Sequence, residues 1–409
     1  MKFSENTNKI IKCLMGDNIK YNVKTVNKNM NKYNKHFFNL MDKSFQEIDG
    51  LKHRIQKSII DIKSIDDIPN TSLFNSHFVP NPIKEYIKTQ FKGYIKLSLF
   101  YNKTNIGVII PLKNEDYNRL NDYDEYTRII FAWFILALKH STLSVRSLNL
   151  YLFMSEIDKK LPESSLEILE PLNCNSAVTT ACNTNGEILV YRKEEWLKVV
   201  IHETMHILCL DFSGMEYEGL KKNVSELFPI ESDFLISETY SEFWANTINN
   251  YMLSYILMDN IPSLDMFIKF NDLFTYYEKM FSLLQLTKIL NHMGLVYEDL
   301  YSKKELSVEK RKLYKEKTNV FVYYILKAIL LYHKEDFIKW CDNANDNIIN
   351  FVKTPETFAS FFEFIRKHSN KPNMLCDLNN IRLFYKRIKN KTICDVTRDT
   401  MRMSLFGLA

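Results

Sequence analysis

Alternating and periodic apolar positions divide the middle of the chain into strands and helices. Residues 94–101 partly alternate and are rich in strand-forming side chains, and residues 106–112 continue this pattern after a short polar break, which predicts a β-hairpin. Residues 122–140 have the length and spacing of a helix, and residues 148–154 form a further predicted strand. The buried stripe of that helix is predicted to consist of Ile129, Phe131, Phe134 and Leu138.

A second pair of predicted strands precedes a helix of mostly apolar residues. Residues 177–182 and 187–192 flank an Asn-Thr-Asn-Gly segment, which is a strong turn signal. The next helix is expected to begin directly after the second strand, with Glu194 and Glu195 in its first turn, where carboxylates suit the helix dipole. We expect it to end near Gly214, because glycine readily adopts the left-handed conformation of a helix cap.

The chain is too long for a typical single domain, and three regions are predicted. Residues 1–90 are expected to be a basic, helical N-terminal extension, with residues 66–82 as a proline-containing connection. Residues 91–214 mix strands with helices, and residues 215–409 are predicted to be almost entirely helical, so the fold class is α+β. The helices expected in the last region cover residues 234–258, 266–293, 309–332, 355–368 and 379–391.

The excess of positive charge is concentrated in the N-terminal segment. The chain has a net charge of +5, and residues 1–64 hold 13 Lys or Arg against 6 Asp or Glu. This basic segment could bind nucleic acid, an anionic membrane or an acidic partner, and its alternative is a solvated helical face. Binding to nucleic acid would depend steeply on salt.

The cysteine pattern and the lengths of the apolar runs indicate in which cellular compartment the protein is expected. The seven cysteines show no CxxC motif and no even framework, which a reducing compartment permits. The N-terminus lacks the apolar core of a signal peptide, and the longest apolar run, residues 129–138, is about half of what a membrane span needs. We therefore expect an intracellular, cytoplasmic protein without a transmembrane segment.

The most informative stretch is His202-Glu203-Thr204-Met205-His206. Residues i and i+4 lie one above the other on a helix, so both imidazoles can reach one metal ion. Zinc accepts imidazole nitrogens and, in catalytic sites, keeps one position for water. Glu203 is rotated by roughly 100° from His202 on a helix of 3.6 residues per turn. It is therefore predicted to act as the general base for an activated water rather than as a ligand.

This motif, preceded by a turn and strands, resembles that of the zincin metallopeptidases. The resemblance covers residues 94–250 and implies a zincin-like fold, with a mixed sheet and the active-site helix in an upper lobe and a mostly helical lower lobe. It implies a zinc-dependent enzyme that hydrolyses peptide bonds with one zinc ion per chain. An edge strand that binds the substrate backbone would be residues 177–182 or 187–191. The composition around the motif is similar to that of metalloproteases of large DNA viruses, so a virion or host cytoplasm would also fit.

The third ligand distinguishes branches of the zincin family. The metzincin pattern would need Gly and His where this chain has Cys209 and Phe212, and Asp211 is out of register by one residue. The gluzincin pattern takes a Glu from the next long helix, which implies Glu238 as ligand and Glu242, one turn on, as the hydrogen-bond partner of a ligand histidine. The competing carboxylates are Glu216, Glu218, Glu226 and Glu231.

Gluzincins also use a Tyr or His that donates a hydrogen bond to the tetrahedral oxyanion. The candidates are Tyr240, Tyr251, His292 and Tyr297. An alternative of another class is a non-catalytic structural or binding protein on a zincin scaffold. A water in the fourth coordination position would favour catalysis, whereas a fourth protein ligand would favour a structural site.

Overall fold

The computed structural model describes residues 2–16, 28–215, 217–258 and 262–409. Their strands are β1 (Gln56–Asp61), β2 (Gly93–Tyr101), β3 (Thr104–Leu112), β4 (Ser147–Ser155), β5 (Ala177–Thr179) and β6 (Asn185–Arg192). Their α-helices are α1 (Glu5–Gly16), α2 (Lys28–Leu51), α3 (Asn81–Gln90), α4 (Asp122–His140), α5 (Pro171–Cys174), α6 (Trp196–Ile207), α7 (Glu218–Leu227), α8 (Ser237–Ile256), α9 (Leu264–His292), α10 (Glu305–Arg311), α11 (Lys327–Tyr332), α12 (Lys334–Ala344), α13 (Pro355–His368), α14 (Pro372–Ile388) and α15 (Asp395–Asp399). The α+β class is confirmed.

The strands form one mixed sheet in the order β1-β2-β3-β4-β6-β5. Strands β1, β2 and β3 are antiparallel, β3 to β4 and β4 to β6 are parallel, and β5 returns antiparallel to β6. The parallel step from β3 to β4 is made through helix α4, as parallel pairing requires a long crossover. This order leaves β5 at one edge, and helix α6 follows β6 directly.

The sequence pattern located the central elements well. The predicted hairpin is β2–β3, whose turn residues Asn102 and Lys103 both have positive φ, as a tight hairpin turn requires. Helix α4 has the predicted bounds, but its burial is wider than the predicted stripe. It is buried on all sides from residue 129 to residue 137, because helices α2 and α6 also pack against it.

Two predictions of helical structure were wrong. The N-terminal extension contributes strand β1, which pairs with β2 over residues 56–61 and completes the sheet. Residues 309–332 are not one helix: α10 ends at Arg311, and a π-helical turn, Phe321–Leu326, leads into α11. Apolar spacing alone does not detect the irregular segment between them.

The predicted ends of helix α6 were also wrong. The helix begins at Trp196, and Glu195, with φ of 60°, stands before it rather than in its first turn. The carboxylates of Glu194 and Glu195 interact with the buried Lys159 instead of with the helix dipole. The helix ends at Ile207, and Cys209 rather than Gly214 takes the left-handed position after it.

Two disulfides are present that the cysteine pattern did not predict. The structure joins Cys13 to Cys394 and Cys182 to Cys209, although their spacing in sequence gave no sign of pairing. The second disulfide fixes the β5–β6 turn to the end of helix α6, where the backbone N–H of Cys182 also donates to the carbonyl of His206. The intracellular location stays a prediction.

The larger of two hydrophobic clusters in the described part of the chain extends from Ile10 to Leu408, and the smaller one packs α3 against β4 and β6. Helix α2 of the N-terminal segment belongs to the larger cluster, since it packs against α4, α8 and α9 and buries Phe37 and Phe45. The domain boundaries at residues 90 and 214 stay predictions. In the described ranges no helix has the length and apolar character to cross a membrane.

Candidate metal centre

The motif residues lie on a helix that is buried along its whole length. Helix α6 packs against α8 on one side and against β5 and β6 on another. His202 and His206 are one turn apart, each about 6% exposed, with their ring centroids 4.6 Å apart. Buried imidazoles are costly without polar partners, so the neighbouring helix has to supply them.

Glu238, in the first turn of α8, brings its carboxylate to both imidazoles. The Nε2 atoms of His202 and His206 are 2.9 Å apart, and Glu238 Oε2 lies 3.0 Å from the first and 3.2 Å from the second. Tetrahedral coordination at zinc distances places ligand atoms about 3.3 Å apart. The three atoms therefore surround a point from which one ion can reach all of them.

The competing carboxylates do not join this group. Glu218, Glu226 and Glu231 are exposed, and none of them belongs to the cluster of ligand atoms. Glu216 lies outside the described residues. Among the candidates that the structure describes, Glu238 alone is brought to the two histidines.

The second ring nitrogen of each histidine faces a buried carboxylate. His206 Nδ1 lies 2.5 Å from Asp211 Oδ2, and His202 Nδ1 lies 2.9 Å from Glu242 Oε1, although the latter contact lacks the angle of a full hydrogen bond. Such carboxylates orient metal-binding imidazoles and raise their basicity. Glu242 thus lies beside His202, and its part in orienting a metal ligand stays a prediction.

The position of Asp211 behind His206 was not predicted from the sequence, in which Asp211 is only a ligand candidate out of register by one residue. Its carboxylate is fully buried and also accepts hydrogen bonds from the hydroxyl groups of Ser213 and Ser241. The turn after α6, which starts with Cys209 at positive φ, folds Asp211 back onto His206. The five-residue separation from His206 is the only signal that the sequence offered.

Glu242 is also held by two buried lysines. Lys198 forms an ion pair with Glu242 Oε1, and Lys327 Nζ lies 3.6 Å from Oε2. Burial lowers the pKa of Lys327 to about 8, against the opposing effect of Glu242. The negative charge of Glu242 is thus compensated by two ammonium groups, one at the oxygen that also faces His202 and one at the other oxygen.

The charges around the three ligand atoms are strongly coupled. Burial lowers the pKa of His206, but Glu238 and Asp211 outweigh it and raise that pKa well above its usual value. Burial raises the pKa of Glu238, but the two imidazoles outweigh it and lower that pKa. The cluster therefore favours positive charge between its ligand atoms, which a metal cation can supply in place of protons.

Glu203 stands beside this cluster without belonging to it. Its side chain is largely buried, and burial raises the pKa of its carboxyl group against the lowering effect of the two histidines. It lines a cavity of about 40 Å³ together with His202, Ala177 of β5 and Met403 of the buried C-terminal segment. This volume suffices for one or a few water molecules.

The oxyanion donors proposed from sequence lie elsewhere. Tyr240 points away from the cluster and donates to the carbonyl oxygen of Ile349, 2.8 Å away. His292 Nε2 donates to a backbone carbonyl before α5, and the Tyr297 hydroxyl donates to one after α13. The ring of Tyr251 stacks on a phenylalanine of α2. The helical pattern could not say which of the 23 tyrosines faces the motif.

Tyr323 is the aromatic residue that the structure brings to the site. It lies in the π-helical turn before α11, its ring centroid is 6.2 Å from that of His202, and it lines the same cavity as Glu203. Burial and the charge of Glu238 raise the pKa of Tyr323, so its hydroxyl keeps its proton. No local sequence signal marks this tyrosine.

Comparison of the chain with protein-family models, curated proteins and solved structures found no match.

We expect the variant Asp211→Asn to bind zinc roughly 10- to 100-fold more weakly than the wild type, the usual cost of losing a carboxylate behind a ligand histidine. The amide cannot accept from His206 Nδ1 as strongly and disturbs the bonds from Ser213 and Ser241. Competition with a chromophoric chelator measures the affinity.

The control is Asp233→Asn, an exposed aspartate that pairs with Lys221. Equal affinities for the two variants would contradict the orienting role.

Proposed function

We propose that the protein is a zinc-dependent metallopeptidase of the zincin type, with His202, His206 and Glu238 as ligands. The observation that carries this proposal is the convergence of two imidazole nitrogens and one carboxylate oxygen within 3.2 Å of one another. Two His and one Glu are a donor set typical of catalytic zinc. Among the described residues no fourth side chain joins the group, which favours a position for water.

In the proposed reaction the side chains around the zinc site have separate roles. A bound zinc ion would lower the pKa of a coordinated water and polarise the substrate carbonyl. Glu203 takes the proton of the attacking water on its carboxylate and passes it to the nitrogen of the leaving amine. Asp211 and Glu242 hold the two imidazoles in the tautomer that leaves Nε2 free for the metal.

The edge strand β5 is the proposed site for the substrate backbone. Strand β6 pairs with β4 on one side and β5 on the other, so it has no free edge. Strand β5 ends the sheet, packs against α6, and supplies Ala177 to the cavity beside Glu203. An extended peptide that pairs with β5 would therefore run alongside the motif.

Tyr323 is the proposed donor to the oxyanion. We expect Tyr323→Phe to reduce kcat for peptide hydrolysis by roughly 100-fold while zinc affinity stays the same, because one donor to the developing negative charge is lost. The control is Tyr324→Phe, which removes a neighbouring buried hydroxyl that donates to Met401. Steady-state kinetics of both variants measure the effect. If they lose activity equally, Tyr323 has no specific part in catalysis.

Zinc removal tests the proposal as a whole. The protein is freed of metal with a chelator and incubated with a mixed peptide library, whose products are identified by mass spectrometry. We expect no cleavage by the metal-free chain and restored cleavage after one equivalent of zinc has bound at the motif. Cleavage that chelation leaves unchanged would contradict a zinc peptidase.

The alternative is a non-catalytic protein on the same scaffold, and the small cavity favours it. About 40 Å³ beside Glu203 holds water but no peptide, so a peptidase has to open this site to admit a substrate. Residues 2–16 and 28–90 supply none of the cavity-lining residues, so the described part of the N-terminal segment does not block the site as a pro-segment would. The alternative predicts that the protein hydrolyses no peptide, whether zinc is retained for stability or lost.

Binding of an anionic partner by the basic residues 1–64 is a separate proposal. Several of its lysines are already paired, since Lys9 contacts Glu5, Lys32 contacts Asp342 and Lys57 contacts Asp124. These pairs favour the solvated-face alternative.

A further inference from the structure

A second group of ligand-type side chains lies in the helical part of the chain. His333 stands at the junction of α11 and α12, Asp336 is in the first turn of α12, and His368 is the last residue of α13. One ligand atom from each lies within 4.8 Å of the other two. These residues are separate from the motif, and the peptidase proposal does not use them.

The hydrogen bonding of His368 leaves one nitrogen directed at this group. His368 Nδ1 lies 2.8 Å from the backbone carbonyl oxygen of Phe364, which can only accept, so Nδ1 carries the proton. In the neutral ring, Nε2 then holds a lone pair. It faces Asp336 Oδ2 at 3.6 Å, which is too long for a hydrogen bond.

His333 presents a second unsatisfied nitrogen. Its Nε2 atom is buried and has no partner with hydrogen-bond geometry, although the ring lies near the backbone of His368. The rings of His333 and His368 are 4.6 Å apart. A buried polar atom without a partner is destabilising, so the unpaired nitrogen of His333 suggests a bound ligand.

We propose that His333, Asp336 and His368 form a second site for one divalent transition-metal ion of the zinc type. Two imidazole nitrogens and one carboxylate oxygen match the preference of such ions, whereas calcium and magnesium prefer oxygen ligands alone. The Asp336 side chain is 58% exposed, so water can enter and complete the coordination. Through these ligands, the bound ion connects the C-terminal end of α13 to the first turn of α12.

The test uses the full chain with His202→Ala and His206→Ala, which removes the motif site. The metal-free protein is titrated with Co²⁺, whose absorption bands report imidazole ligation, and then with Zn²⁺. We expect close to one equivalent of either ion to bind and the midpoint of thermal unfolding to rise. The further change Asp336→Asn is expected to weaken binding at least tenfold, while the matched control Glu335→Gln removes an exposed carboxylate one residue away and leaves binding unchanged.

Three results would overturn the proposal. One is a double variant that binds no Co²⁺ or Zn²⁺ although its circular dichroism matches the wild type. Another is equal binding by the Asp336→Asn and Glu335→Gln chains, which would mean that nearby negative charge alone attracts the ion. The third is bound Co²⁺ without the absorption bands of histidine ligation. Peptidase activity has no part in these readouts, so the second site stands or fails independently.

Discussion

The variant Glu203→Gln is expected to keep its zinc and to hydrolyse peptides two to four orders of magnitude more slowly than the wild type, the usual contribution of a positioned general base. Glutamine has nearly the same size as glutamate but cannot take a proton from the attacking water. The structure places Glu203 beside the ligand atoms and outside their cluster, so its loss should leave the metal in place. Initial rates on a cleaved library peptide measure the effect.

Two controls accompany that measurement. Zinc content and the midpoint of thermal unfolding should match the wild type, since Gln keeps the packing of this buried position. The variant Glu218→Gln, at an exposed position of α7, should keep full activity. Identical cleavage by the Glu203→Gln chain and the wild type would assign the activity to another site or to a contaminant.

The variant Glu238→Gln is expected to lose zinc affinity by more than the roughly 10- to 100-fold that an outer carboxylate contributes. Its carboxylate oxygen lies within 3.2 Å of both Nε2 atoms, and the neutral amide offers a poor ligand and no negative charge. Activity should fall in parallel when zinc is limiting. Chelator competition at the motif site measures the dissociation constant.

The other carboxylates of this region supply matched controls. Glu218→Gln, Glu226→Gln and Glu231→Gln each remove one exposed charge between the motif and α8, and they should bind zinc as tightly as the wild type. If Glu231→Gln lowered zinc affinity as much as Glu238→Gln, or if Glu238→Gln did not lower it, Glu238 would not be the third ligand.

The periodicity of the sequence predicted which side chains share a face of the helices near the motif. The i,i+4 spacing put His202 and His206 on one face of a helix, and the same spacing put Glu238 and Glu242 together on the next long helix. Both helices exist, and their packing brings these four side chains together. The strands around α4 were equally predictable, because alternation and turn residues act over a few positions.

Contacts set by the tertiary fold could not be predicted in this way. Tyr323 reaches His202 from 121 positions further along the chain, through a π-helical turn that leaves no pattern in the sequence. Asp211 reaches His206 because the chain reverses at Cys209, whose positive φ is unusual for a residue with a side chain. Strand β1 and the two disulfides likewise depend on partners far away in the sequence.

Anomalous diffraction at the zinc edge, from crystals of the zinc-loaded wild type, tests the metal centre most directly. We expect a peak about 2.0–2.2 Å from His202 Nε2, His206 Nε2 and a Glu238 oxygen, with a water as the remaining ligand and Glu203 outside the coordination sphere. A further peak between His333 and His368 would be the separate second site. No peak at the motif, or one coordinated by Glu203 or by a fourth protein side chain, would contradict a catalytic zinc at this helix.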